Sequence, residues 1–208
     1  MTFPTVKSRT SGNAARNSGS FVVPIPGSAV AGNMFLIAKS SRFATDDIWP
    51  GGWTDLCGGS TNFNIVTYTR YKLLDAGDIT TGSITITQTS GETGWVAYLI
   101  GGAKSAEGAA YIGSWDPPNL TPSWGALDTL WIATVANYGN WSNAYPSGYS
   151  NGLMDGQNES YQWAAEKQLN AASEDPPAYS NIAGGTPVAG TVAIQPSFPR
   201  AFSLGIIG

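Results

Sequence analysis

The feature that most constrains the fold is an internal echo. The stretch Asn33–Lys39 (NMFLIAK) runs through a polar gap to Trp49–Thr54 (WPGGWT), and Asp128–Thr134 (DTLWIAT) runs in the same way to Tyr145–Ser150 (YPSGYS). Asn33 and Asp128 lie 95 positions apart, and Pro50 and Pro146 lie 96 apart. Further on, Lys72–Ala76 answers Lys167–Ala171 at 95, and Val96–Ile100 answers Gly190–Ile194 at 94. Landmarks kept in order at a near-constant offset mark a duplication. The period far exceeds the roughly 20–50 residues of a solenoid unit, so the chain reads as a duplicated half-domain or as two small similar domains.

Composition narrows the choice. Of 208 residues only 12% are charged, against about 25% in an average globular protein. Glycine (26) and proline (13) are plentiful, which points to short strands joined by many turns. With 42% hydrophobic residues and 8 tryptophans, the chain can bury a sizeable core. The net charge of −4 and the scatter of 10 cations give no basic patch for phosphate counterion release, so nucleic acid is not an expected partner. Cys57 stands alone and makes no internal disulfide. The first 30 residues lack the apolar core of a signal peptide, and no stretch has the ~20 apolar residues of a membrane span. Synthesis in a cytosol and no membrane contact are therefore expected.

Taken in order, residues 1–20 read as an extended arm and Phe21–Pro26 as an edge strand, since proline cannot donate to a central ladder. Met34–Lys39 reads as a buried strand, Ser40–Gly52 as a loop, and Ile65–Lys72 as a β-branched and aromatic strand. Asp75–Asp78 turns the chain into Ser83–Thr87, which alternates with period two, and Thr93–Ile100 closes the first half. Residues 103–127 read as a proline-rich crossing. Leu130–Ala136 and Val188–Gln195 are strands. Ser160–Leu169 has helix propensity, but it aligns with the strand at 65–74, and the alignment decides for a strand. The expected fold is an all-β, antiparallel, jelly-roll-like β-sandwich over 21–196. Its halves, 21–102 and 126–196, form two layers that bury their inner faces together because neither suffices alone. Residues 197–208 form a tail.

No catalytic residue stands out. Histidine is absent, which removes Ser-His-Asp, Cys-His and His-metal chemistry. Two carboxylates suffice for glycoside hydrolysis, but the Asp and Glu residues read first as solvated loop groups. Asp46–Asp47 and Asp75–Asp78 lack the spacing of a calcium loop, and no metal or cofactor is expected. The residues with binding chemistry are aromatic and polar. Trp49 shares a loop with Asp46 and Asp47; Trp141, Asn140 and Tyr145 share the corresponding loop of the second half. Aromatic rings stack on the apolar faces of sugars while Asn and Asp take hydroxyls, and loops on a rigid scaffold are where binding usually lives. The same rings also serve to plug the ends of a core, and that role is expected for Trp53 and Tyr149.

The residues also carry a resemblance. The succession Phe21–Pro24, Ala31–Ala38, Gly52–Leu56, Tyr68–Lys72, Trp95–Ile100 and Val192–Pro196 resembles a jelly-roll-like β-sandwich module of tailed-bacteriophage and gene-transfer-particle virion proteins. Asn33 stands where that family commonly has Asp, and Ile100-Gly101-Gly102 where it often has an Arg-Gly pair. The resemblance implies a non-enzymatic head-fibre, decoration, tail or receptor-binding role. It also implies other virion proteins and further copies of the chain as partners, host-surface polysaccharide as a ligand, and assembly in a host cytoplasm. A free lectin module and a polysaccharide-degrading enzyme are the alternative readings.

Overall fold

The computed structural model describes residues 2–42, 47–60, 65–88, 91–139, 144–180 and 185–197. Its strands are β1 (Thr5–Ala14), β2 (Ser20–Pro24), β3 (Met34–Arg42), β4 (Asp47–Ile48), β5 (Thr54–Ser60), β6 (Ile65–Leu73), β7 (Ser83–Gln88) and β8 (Glu92–Gly101) in the first half. Those of the second half are β9 (Ala103–Ile112), β10 (Leu127–Asn137), β11 (Ser150–Gln157), β12 (Ser160–Ala171) and β13 (Val188–Pro196), and one short helix, α1 (Ala76–Thr81), precedes β7. The first main sheet has the order β1-β8-β3-β6-β5, the second β9-β13-β10-β12-β11, and a small sheet has the order β2-β7-β4. All pairings are antiparallel.

The duplication is written directly into this topology. Matched by offset, β1, β8, β3, β6 and β5 correspond to β9, β13, β10, β12 and β11, so the two main sheets have one strand order. They pack face to face with β5 beside β9 and β1 beside β11, the arrangement a twofold axis between the sheets would produce. Thr67 and Gln162, equivalent positions of the two halves, approach each other at 3.4 Å across the interface. A second symmetric approach between the halves brings Gly94 of β8 to Asp155 of β11 and, at the equivalent place, Val188 of β13 to Gly59 of β5.

Three cores result. Met34, Leu36, Ala38, Val96, Tyr98 and Ile100 of the first sheet meet Leu130, Ile132, Ala164, Val192 and Ile194 of the second. Phe35, Ile37, Trp95, Ala97 and Leu99 point the other way, against Phe21, Val23, Ile84 and Ile86 of the small sheet. Ala133, Val135, Tyr161, Trp163 and Ala189 form the outer face of the second sheet and are covered by Trp115, Tyr145, Tyr149 and Tyr179. That cover keeps traces of a sheet in the isolated bridges Leu120–Glu174 and Ala144–Ser180. In the first half, β1-β8-β3-β6-β5 and β2-β7-β4 pack on each other as an antiparallel β-sandwich.

Several expectations change. Residues 5–14 are not a free arm but the edge strand β1, paired along its length with β8. Residues 103–112 are not part of the crossing but form β9, paired with β13. Both stretches are rich in small and polar residues because an edge strand has a half-exposed face, and this hides it from hydrophobic pattern reading. The strands β5 and β11 escaped notice for the same reason. Asp75 does not simply turn the chain: it caps α1, whose end is closed by Gly82 in the left-handed region at φ 70°. Each half, expected to lack a core of its own, has one in addition to the shared core. The expected strand at 160–169 is present as β12, and the edge strand at 21–26 as β2. Residues 198–208 of the tail lie outside the described residues.

Because the central core draws on both halves, the chain should unfold in urea as one cooperative transition. Leu36→Ala, which opens a cavity on the shared face, should cost about 2–5 kcal/mol. Two separate transitions in the wild-type chain would show instead that the halves unfold independently.

Candidate functional site

The Asp47 end of the first aromatic loop is fastened to the core. β4 pairs with the end of β7, which turns the Asp47 carboxylate inward onto the Lys39 ammonium of β3, the two side chains being 0% and 1% exposed. Lys39 also lies 5.6 Å from the centroid of the Phe21 ring. Burial outweighs the attraction of Asp47 and pushes Lys39 down to about 8. Asp46 lies outside the described residues.

Trp49 continues from β4 across the outer face of the first sheet. Its ring tilts against Trp53 at 5.0 Å between centroids, and Trp53 reaches Phe35 at 6.4 Å. On β6, Tyr68 and Arg70 point to one side of the sheet, as strand alternation requires. The Arg70 guanidinium sits 4.9 Å from the ring centroids of both Trp49 and Tyr68. Asp55 of β5 holds Arg70 in an ion pair, and its own side chain remains 70% exposed. Tyr68, Arg70, Trp49 and Trp53 thus form a ladder of alternating π faces and planar cation. A groove of about 230 Å³ lies beside it, lined by Asp55, Leu56, Cys57, Gly58 and Tyr68. Its walls offer one flat face, the Tyr68 ring, beside an exposed acceptor, Asp55. Trp53 takes the core role expected of it.

The second aromatic loop is placed elsewhere. Asn140 and Trp141 lie outside the described residues. Tyr145 meets Tyr179 edge-on at 6.2 Å and presses its ring on Gly152, where a Cβ would come within 2.3 Å. Burial raises the Tyr145 pKa. Tyr149, as expected, packs against the core, with its hydroxyl 3.4 Å from Glu174 and Lys167 over its ring at 5.6 Å. Trp49 therefore covers the outer face of the first sheet and Tyr145 that of the second. The four-layer packing puts them on opposite sides of the molecule, so Asp47, Trp49 and Tyr145 do not share one site.

The titratable groups serve mainly as fastenings. Asp75 and Asp78 cap α1 reciprocally, and both meet Lys72. Arg42 pairs with Glu159, Arg9 with Glu166, and Lys167 with Glu174. Burial pushes the Cys57 thiol up to about 11, against a smaller opposite effect from Thr69, which disfavours the thiolate that nucleophilic attack needs. Among the described residues no group of three His, Cys, Asp or Glu is placed to hold a metal ion, and no helix is long and apolar enough to cross a membrane. Two pieces escaped sequence reading. Arg70 lacked any local signal for its place between two rings, and Arg9 and Glu166 are 157 positions apart. No protein-family model, curated protein or solved structure matches the chain.

The Lys39–Asp47 contact sets a pH dependence. Folding lowers the Lys39 pKa from 10.5 to about 8, so between those values the unfolded chain holds more protons and stability rises with pH. Cys57 and the buried tyrosines act in the opposite sense at the alkaline end, so the comparison is best made against Lys39→Met/Asp47→Asn. Measured by urea denaturation, wild-type stability should gain on that variant from pH 8 upward. A difference that stays flat across the window would contradict it.

Proposed function

We propose that the chain is a non-enzymatic structural module of a tailed-bacteriophage virion, carried on the head or tail as an accessory and meeting other virion proteins or host-surface polysaccharide. The observation that supports this reading best is the doubled block itself. Two all-β halves close on a shared core, and the side chains best suited to chemistry hold elements together. Such a body works by shape and by what its surface presents. The resemblance of its strand text to virion β-sandwich modules points the same way, as does the absence of cysteine pairs in a chain assembled in a cytoplasm. Antibody raised against the chain should detect it in gradient-purified particles from a lysed culture, at a fixed ratio to the major capsid protein. Its confinement to the soluble fraction would remove the virion assignment.

A second reading, a free carbohydrate-binding module, is favoured by the Tyr68–Arg70–Trp49 ladder. It requires that host polysaccharide quench tryptophan fluorescence in the isolated chain and that Trp49→Ala weaken this response. Titration without quenching would count against the ladder as a contact surface.

A further inference from the structure

The halves also meet along two side seams, β5 with β9 and β11 with β1. The duplication makes these seams equivalent, and β5 and β11 carry a bulge at matching places, between Asp55 and Cys57 and between Ser150 and Leu153. Their contents differ. At the first seam Leu56 fills the bulge and rests on Gly108, where a Cβ would lie 3.1 Å from that of Leu56, and Tyr71 packs beside them on the shared core. The matching positions of the other seam are Gly152, Arg9 and Glu166. There Arg9 Nε donates to Glu166 Oε2 at 3.0 Å and Arg9 Nη2 donates to Oε1. Asn151, left-handed at φ 52°, donates its amide to Glu166 Oε1 at 2.8 Å. A polar cleft of about 230 Å³ opens over these groups, with Ser150, Lys167 and Gln168 on its walls.

Apolar residues would hold this seam at least as well. The Glu166 side chain is only 9% exposed and that of Arg9 29%, and a largely buried ion pair loses hydration that apolar residues of similar volume do not. The molecule contains its own comparison, since the equivalent strands meet at the equivalent seam through Leu56, Gly108 and Tyr71, with no charged pair among them. A non-glycine residue held in the left-handed region is a further local cost, of the kind that accumulates at binding sites.

We propose that the cleft between β1, β11 and β12 binds one ring of a neutral saccharide. The charges cancel locally, Arg9 against Glu166 and Lys167 against Glu174, so neither an anion nor a cation gains on entry. Donors from Arg9, Asn151 and Gln168 alternate with acceptors from Glu166 and the two amides. Hydroxyls on adjacent carbons, each both donor and acceptor, match that alternation. The volume falls below the roughly 300 Å³ at which pockets for drug-sized ligands begin, which suits a single ring. The site rests on the adhesive part of the proposed function but not on the virion assignment, and it is distinct from the Trp49 ladder.

The test is a printed array of neutral and uronic-acid-bearing oligosaccharides probed with the full chain. Wild type should retain at least one neutral oligosaccharide. Asn151→Gly, which keeps the left-handed backbone, and Gln168→Ala should each weaken it about tenfold, the scale of one or two hydrogen bonds, at unchanged Tm. The proposal is overturned if wild type binds no neutral sugar, if both variants bind like wild type, or if binding falls only with Tm. Loss in Trp49→Ala alone would also overturn it and move binding to the ladder. Particle co-banding is read independently, so failure here leaves that assignment to its own experiment.

Discussion

The rest of the structure answers to one constraint: the central strands β3, β8, β10 and β13 are buried on both faces. Met34–Ala38 and Val96–Ile100 are continuous apolar runs, every residue of them buried. A strand of that kind needs a layer on each side. The inner faces find it in each other and form the shared core. The outer faces need separate covers: the small sheet and the two tryptophans for the first half, and the aromatic segments around Tyr179 for the second. Four layers follow from two duplicated sheets that cannot show either side to water.

This explains what could be read from the residues alone. The echo was legible because the buried strands tolerate little besides apolar residues, and both copies retain them. It was strong enough to override the helix propensity of Ala164–Lys167, where Trp163 and Ala164 now point to opposite faces of β12. The edge strands were not legible. Thr5–Ala14 and Ala103–Ile112 have half-exposed faces and no apolar rhythm, so their placement depends on partners about 90 residues away in sequence. The continuous, non-alternating character of Met34–Ala38 was itself a sign of two-sided burial, and with it of additional layers.

The candidate binding residues were less accessible still. An aromatic in a loop looks the same in sequence whether it faces solvent or closes a core. Trp49 divides its ring between Trp53 and Arg70, while Tyr145 leans on Tyr179. The Arg9–Glu166 pair joins the first strand of one half to a middle strand of the other, a relation no local pattern encodes. Duplication supplies what single positions lack, because equivalent places can be compared within one molecule. Where the halves agree, the fold is setting the residue. Where they part, as at the two seams, the difference calls for another cause.

The turn between the halves has a consequence of its own. Thr5 opens β1 opposite Gly101, Pro196 closes β13 opposite Ala103, and the Ser197 amide donates to the Gly102 carbonyl at 2.7 Å. The start of the first strand and the end of the last therefore flank one tight reversal. Joining them with a short linker and reopening the backbone at Gly102 would exchange the order of the halves along the chain while every sheet kept its neighbours. In such a rearranged polypeptide neither copy is intrinsically first, as expected of a body whose two main sheets have one strand order.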